Sequence, residues 1–429
     1  MEKAVDLPGI LRVVKPEPLK GKDFDNFFVE TDKARGDKAA KYLENYFKAN
    51  RDEDPQKVLF MGHRGSGKST ELYRLSTYLG DAFRVINFSI RDEIDITDMQ
   101  YLDLIFVILN RLYEEVRDEV DIHESVLKNL SSYWHDEKFM ETIAVQKAEV
   151  QTSVEASVGF LNAIRARVKG ILSTGRESKE VVRKFIEPRL SQLITGINDF
   201  LDDISLKYKA KGKVLLLIVE DLDKLDISVA EELFLKHKNI LTMFHLHIIY
   251  TFPIFLHYST HFSEISSGFH DYRMLSMVKV NNKDGTRHDD GRAIFRGIAE
   301  KRVAPGLIEP AALEFLIEKS GGALRHLFDM MKNATLDVLS EDGPAVNLSA
   351  AEHAYLRFRS SFERTVGKKH LDTLKDVYES RDRKPSADEN LQEMLNAMAV
   401  IEYNGDRWCG LHPAVEDILK ERNLIGECR

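Results

Sequence analysis

The sequence predicts an α/β protein built on a mostly parallel sheet, and three observations carry that reading. Short apolar runs at 57–61, 84–90, 214–219 and 247–252 have the length of strands. Segments with apolar residues at helical spacing separate them, and such alternation gives a parallel sheet flanked by helices. The run 214–219 is apolar at all six positions and leads into acids, as expected of a strand buried on both faces.

In chain order, residues 1–22 read as an N-terminal arm. Ala39, Ala40, Leu43, Tyr46 and Phe47 recur at helical spacing and predict a helix of about three turns, ended by Asp52, Asp54 and Pro55. The strand 57–61 enters a Gly-rich turn, and 70–79 reads as the helix after it. The strand 84–90 and a strongly apolar helix at 102–112 follow. Residues 113–212 are mostly helical by pattern and rich in charge. Trp134, Phe139, Phe160 and Ile164 give only a patchy stripe there, and 173–178 is a break. One long helix fits 179–208, with Phe185, Leu190, Leu193, Ile197, Phe200, Leu201 and Ile204 on one face and Pro188 as a kink. Heptads are not sustained, so no coiled coil is expected. The strand 247–252 stops at Pro253, and 274–280 reads as a further strand. Residues 292–340 return to helices, and 350–425 hold short helices. Asn404-Gly405 between Tyr403 and Trp408 signals a hairpin. The expected division is an arm at 1–22, a sheet domain at 23–285 with a helical insertion at about 113–212, a helical lid at 286–345 and a C-terminal module at 346–429.

Composition narrows the function classes. With 429 residues, 43% of them hydrophobic and 31% charged, the chain has enough apolar mass to exclude global disorder. The 61 Lys+Arg against 70 Asp+Glu leave a formal charge of −9, which disfavours a chain held to nucleic acid mainly by net charge. Cys409 and Cys428 are too few for a zinc or disulfide framework and fit a reducing compartment. The N-terminus lacks the apolar core of a secretory signal, and no stretch of about 18 apolar residues occurs. The expectation is a cytoplasmic protein with no membrane segment.

The most specific signal is Gly62-His-Arg-Gly-Ser-Gly-Lys-Ser69, which fits G-x-x-x-x-G-K-[ST] between a strand and a helix. Gly62, Gly65 and Gly67 let the backbone curl, so that N–H groups from Gly62, His63, Arg64, Gly65, Ser66 and Gly67 surround phosphate oxygens. Lys68 reaches the β- and γ-phosphates, Ser69 offers its hydroxyl to Mg²⁺, and Thr70 reaches the α-phosphate. The helix N-terminus behind them favours the anion. The expected cofactors are ATP and Mg²⁺. His63 sits at a variable position of the motif and is expected to be exposed.

Glu220-Asp-Leu-Asp223 closes the strand 214–219. One acid at such a tip holds Mg²⁺ through its water shell, and a second polarises the attacking water. Glu220 is assigned to the metal and Asp221 to the base; the register with Asp221 on the metal and Asp223 as base stays open. Thr251, at the end of the next strand, can face the γ-phosphate. Arg325 follows Gly321-Gly322 and can reach the nucleotide from the lid. Arg35 precedes the first helix and can contact nucleotide or a neighbouring subunit. Arg176 and Arg183 flank the break in the insertion, where either can serve as an arginine finger in trans.

Together GHRGSGKST, LLLIVEDLDKLD, IIYTFP and SGGALRHL resemble the additional-strand P-loop ATPases, the division that includes AAA+ and STAND proteins, over about 25–340. The acidic stretch is most similar to STAND, Orc/Cdc6-like and KAP-type members. The resemblance implies a P-loop NTPase sheet, a Walker A at 62–69 and a Walker B at the acidic strand. It makes Thr251 sensor-1-like and Arg325 sensor-2-like. The C-terminal RWCGLHPAVEDIL is similar to winged-helix modules that follow such ATPases. No arginine-finger motif follows Thr251, which counts against ring-type hydrolysis in trans. The function implied is an ATP-hydrolysing, nucleotide-dependent switch or assembly ATPase, of a kind found in bacterial defence and mobile-element biology, with a protein partner or self-assembly. The alternatives are a DNA-associated loader, with DNA on the C-terminal module, and a small-molecule kinase. Residues 345–429 carry 13 Lys+Arg and 15 Asp+Glu, which favours a protein partner over DNA, although Arg357, Arg359, Arg364, Lys368 and Lys369 form a local basic cluster.

Overall fold

The computed structural model describes residues 1–134, 180, 183–184, 186–380, 388–403 and 408–426. Phe139, Phe160, Ile164, Arg176, Phe185, the 173–178 break, the Asn404-Gly405 turn and Cys428 lie outside them.

Five parallel strands form the central sheet: β1 (Lys57–Met61), β2 (Phe83–Ser89), β3 (Val214–Glu220), β4 (His247–Phe252) and β5 (Asp271–Met274). Their spatial order is β2-β3-β4-β1-β5, so β4 is inserted between β1 and β3. Alternation along the strands buries both faces of the sheet. Val58, Phe60, Leu216, Ile218 and Ile249 face one core with Leu43, Phe47, Leu72 and Leu75 from the flanking helices. Leu59, Met61, Leu217, Val219, Ile248 and Tyr250 face the other, with Leu104, Ile108 and Phe200. Parallel strands need this double cover, because a helix lies across each face.

Four expectations change. The arm is not free. Ala4 pairs in parallel with Val303, Asp6 caps the helix Leu7–Val13, and Leu7, Ile10, Val13 and Val14 join the main core. The fifth strand runs from Asp271 to Met274 and not through 274–280: after Leu275 N–H donates to the Met61 carbonyl (2.8 Å), the chain leaves the sheet, and Met277 bridges to Tyr403. Pro188 does not kink a helix but sits in a short turn, Glu187–Arg189, ahead of the helix Leu190–Ala210, since proline has no N–H for a helix interior. Leu193, Ile197, Phe200, Leu201 and Ile204 of that helix are buried as the spacing predicts. Arg183 is 5% exposed and is committed to a buried ion pair with Asp103 and a bond to the Asp98 carbonyl (2.7 Å), so it cannot reach a neighbouring subunit.

Beyond the sheet come the helices Asp289–Arg302, Pro310–Lys319, Leu324–Ser340 and Leu348–Thr365. The C-terminal end holds the helices Leu371–Glu379, Glu389–Asn396 and Pro413–Glu421 with one antiparallel hairpin, β6 (Val400–Tyr403) and β7 (Trp408–Leu411). Among the described residues no helix is long and apolar enough to cross a membrane.

Candidate nucleotide site

The phosphate loop leaves β1 and enters the helix Lys68–Leu79. Its curl needs a left-handed backbone at Gly65 (φ 78°), where an added Cβ would lie 3.0 Å from Cβ of Arg325. Arg325 is thus packed directly on the loop, and its Nε is buried without a hydrogen-bond partner. The turn that delivers it requires glycine: Gly322 has φ 82°, and a Cβ there would collide with the Val278 carbonyl at 1.9 Å.

Lys68 is 6% exposed, and its ammonium is fully engaged. It donates to the carbonyls of Gly62 (2.8 Å) and His63 (2.9 Å) and pairs with Asp223 (2.8 Å). All three ammonium donors are used within the chain, so an incoming phosphate must displace at least one of these partners.

The acidic turn separates its three acids. Glu220 ends β3, is 4% exposed and lies against Ser69 and Asn87; burial pushes its carboxyl above the usual range despite the bonds those groups make. Asp221 adopts a left-handed backbone (φ 70°), and its carboxylate accepts from Ser89 Oγ (2.7 Å) and pairs with Lys224 (2.6 Å). Burial works against its charge, but those two bonds outweigh it and hold the carboxyl below its ordinary value. Asp223 is the partner of Lys68.

Thr251 corrects an expectation. Its hydroxyl donates to the Val219 carbonyl (3.2 Å) and accepts from Leu222 N–H (3.0 Å), at 1% exposure. It clamps the acidic turn to β4 and does not face the loop. Arg35 lines the cavity in front of the loop. Its guanidinium donates to Thr31 Oγ1 (2.8 Å), to the Ser66 carbonyl (2.5 Å) and to the Ser276 carbonyl, so it also braces the loop. Thr70 Oγ1 accepts from Leu19 N–H (3.2 Å), tying the N-terminal segment to the loop helix.

His63 is the second correction. It is 1% exposed, and its Nε2 accepts from the backbone N–H of Glu402 on β6 (2.8 Å). The proton therefore sits on Nδ1, and burial, with the Lys68 charge nearby, holds the ring neutral with a pKa of about 3. The same hairpin reaches the lid: Tyr403 OH donates to the Gly321 carbonyl (2.9 Å). At the start of the last helix, His412 Nδ1 accepts from Ala414 N–H (3.1 Å), so its Nε2–H donates to His326 Nδ1 (3.0 Å).

Burial is the leading reason why His63, His247, His326 and His412 are held neutral, with values of about 3 for His63 and about 4 for His247 and His326. The unfolded chain takes up protons at these rings below pH ~6.5. Their contribution to stability is present above that pH and is lost as the pH falls toward the folded values, at up to about 1.4 kcal/mol per pH unit per histidine. Urea midpoints should therefore fall steeply between pH 7 and pH 5; a flat profile contradicts the neutral buried rings.

The cavity in front of the loop is lined by Gly65–Thr70, Asp221, Asp223, Arg35 and Arg325, and by the apolar side chains of Leu19, Phe27, Phe28, Phe295 and Phe328. The residues fit a nucleoside triphosphate with its metal: a curled loop, a lysine and an arginine donor for phosphate, a Ser69–Glu220 pair for a cation, and aromatic side chains for a base.

No family model matches the chain, and no curated protein matches it in sequence. Among solved structures it is similar to the ORC1 protein of Aeropyrum pernix in complex with DNA, at 13% identity over 98% of this chain and 97% of that chain, with a TM-score of 0.40. It is similar to the ADP form of the ORC2 protein of the same organism (11% identity, 96% and 97% coverage, TM-score 0.44). A third is the Thermotoga maritima RuvB Holliday junction branch migration motor (12%, 96% and 98%, TM-score 0.37). At these scores the likenesses carry no argument. The strand order, with β4 between the loop strand and the acidic strand, defines the fold as that of an additional-strand P-loop protein.

Proposed function

We propose that this protein is an ATP-binding and ATP-hydrolysing switch, whose C-terminal module changes its hold on the rest of the chain with the nucleotide bound. The observation that carries the reading is the His63–Glu402 bond: a residue inside the phosphate loop is fastened to the C-terminal hairpin. A phosphate that draws Lys68 from the His63 carbonyl acts on the same residue that holds Glu402.

In this reading the loop N–H groups and Lys68 hold the phosphates, and Arg325 recognises the terminal one. Ser69 and Glu220 hold the cation. A magnesium ion there would neutralise charge building on the β- and γ-phosphates. Asp221 orients the attacking water. It acts on that water as the general base. Arg35 and Thr251 are positioning residues. The role is one of assembly or recruitment, with a protein partner or a second copy of the chain. The basic cluster of the C-terminal module supports this over DNA, because Arg357 pairs with Asp337, Arg359 with Glu421 and Lys369 with Glu393.

Limited proteolysis of the 320–429 region tests the reading. Wild type should give different patterns with ADP and with a non-hydrolysable ATP analogue. Arg325→Ala should make them alike, since a charge-assisted contact of roughly 1.5–3 kcal/mol sets a population ratio of about 10–150. If wild type gives one pattern with both nucleotides, the switch fails. If Arg325→Ala still switches, the sensor is another residue.

A further inference from the structure

A second cationic cavity adjoins the first, and nothing in the nucleotide reading uses it. Arg64 of the loop, Arg91 and Asp95 from the segment after β2, Lys224 of the acidic turn and Arg325 of the lid form its charged walls. Four of these five side chains are cationic. Arg64, Lys224 and Arg325 line the nucleotide cavity too, so the two spaces meet across these three groups, and Arg91 belongs to the second alone.

The acceptors around this cavity do not match the donors. Lys224 is paired with Asp221 (2.6 Å), and Arg64 donates to the Lys224 carbonyl (3.2 Å). Asp95 already accepts from the N–H (3.0 Å) and hydroxyl (2.7 Å) of Thr97. Arg325 Nε, buried, has no partner. A buried donor without an acceptor is costly, and planar guanidinium forks match the oxygens of phosphate. Three such forks around one space, beside a phosphate loop, make an anion site.

We propose that this cavity binds inorganic phosphate, the product of the hydrolysis proposed above, as it leaves the nucleotide cavity past Arg64, Lys224 and Arg325. The inference rests on that hydrolysis, in which water and ATP give ADP and phosphate. A phosphate of a nucleic-acid strand has the same chemistry. Free phosphate is favoured because the cavity shares Arg64, Lys224 and Arg325 with the nucleotide site and the chain is acidic overall, at −9.

The test titrates inorganic phosphate into the full-length protein loaded with ADP and Mg²⁺, as wild type and as Arg91→Ala. Arg91 is exposed, so its truncation should leave the thermal midpoint and the ADP affinity in place. Wild type should take up phosphate, and the variant should bind it about tenfold more weakly or worse, as expected for one lost charge-assisted contact. No phosphate uptake by the ADP-loaded wild type overturns the proposal, as does equal affinity in the variant. A short single-stranded oligonucleotide that binds through Arg91 where phosphate does not also overturns it. If ADP itself fails to bind, the nucleotide reading falls and this one with it; ADP binding without phosphate uptake sinks this one alone.

Discussion

Lys68→Ala should abolish measurable ATP binding in calorimetry. The ammonium is the only cation of the loop that is buried beside its carbonyls, and it is the group that meets the phosphate charge. Two hydrogen bonds to charged oxygens, at about 1.5–3 kcal/mol each, correspond to a loss of about 150-fold or more. The structure adds a complication that the motif alone does not show. Lys68 and Asp223 are both nearly buried, at 7% and 5% side-chain exposure. Removing one partner of a buried pair leaves the other charge uncompensated and costs roughly 3–5 kcal/mol of stability. Lys68→Ala should thus also lower the unfolding midpoint. Combining it with Asp223→Asn should recover stability without recovering binding. ATP affinity retained in a well-folded Lys68→Ala variant contradicts the site.

Asp221→Asn should lower ATP turnover by about 10²-fold or more while leaving binding nearly intact, the usual scale for a lost general-base function. The substitution is mild structurally, because asparagine tolerates the left-handed backbone that Asp221 adopts and keeps an acceptor for Ser89. Asp223→Asn should act differently. It frees Lys68 from its resting partner and removes a carboxylate from the cavity, so ATP should bind more tightly. If Asp223→Asn is the variant that loses turnover with binding nearly intact, the acids act in the shifted register, with Asp221 at the metal. If neither loses it, this strand end is not catalytic.

Much of the site was legible because its parts are local in sequence. The loop, the strand before it, the helix after it and the acidic strand end each show in under a dozen residues. Arg325 was legible through the paired glycines that turn the chain onto the loop. What stayed hidden depends on distant contacts. His63 looks exposed as a variable motif position, and only the fold brings Glu402 to it from 339 residues away. Ala4, Ile10 and Val13 look like an arm until Val303 and the main core receive them. Thr251 is a polar residue at a sensible place whose bonds go to backbone, and which backbone it meets is set by strand order. Strand 274–280 was misplaced because the chain turns away after Leu275: Met277 is buried by the hairpin and lid, with Ala323, Ile401 and Tyr403, and not by sheet neighbours.

The central claim is that nucleotide at the loop is felt by the C-terminal hairpin through His63. The amide of Glu402 reports on this directly, because His63 Nε2 is its acceptor. Hydrogen exchange at that amide should be slow with ADP and clearly faster with a non-hydrolysable ATP analogue, while amides in the interior of β3 stay protected with both. Equal protection of the Glu402 amide with the two nucleotides, both shown to be bound, would contradict the account.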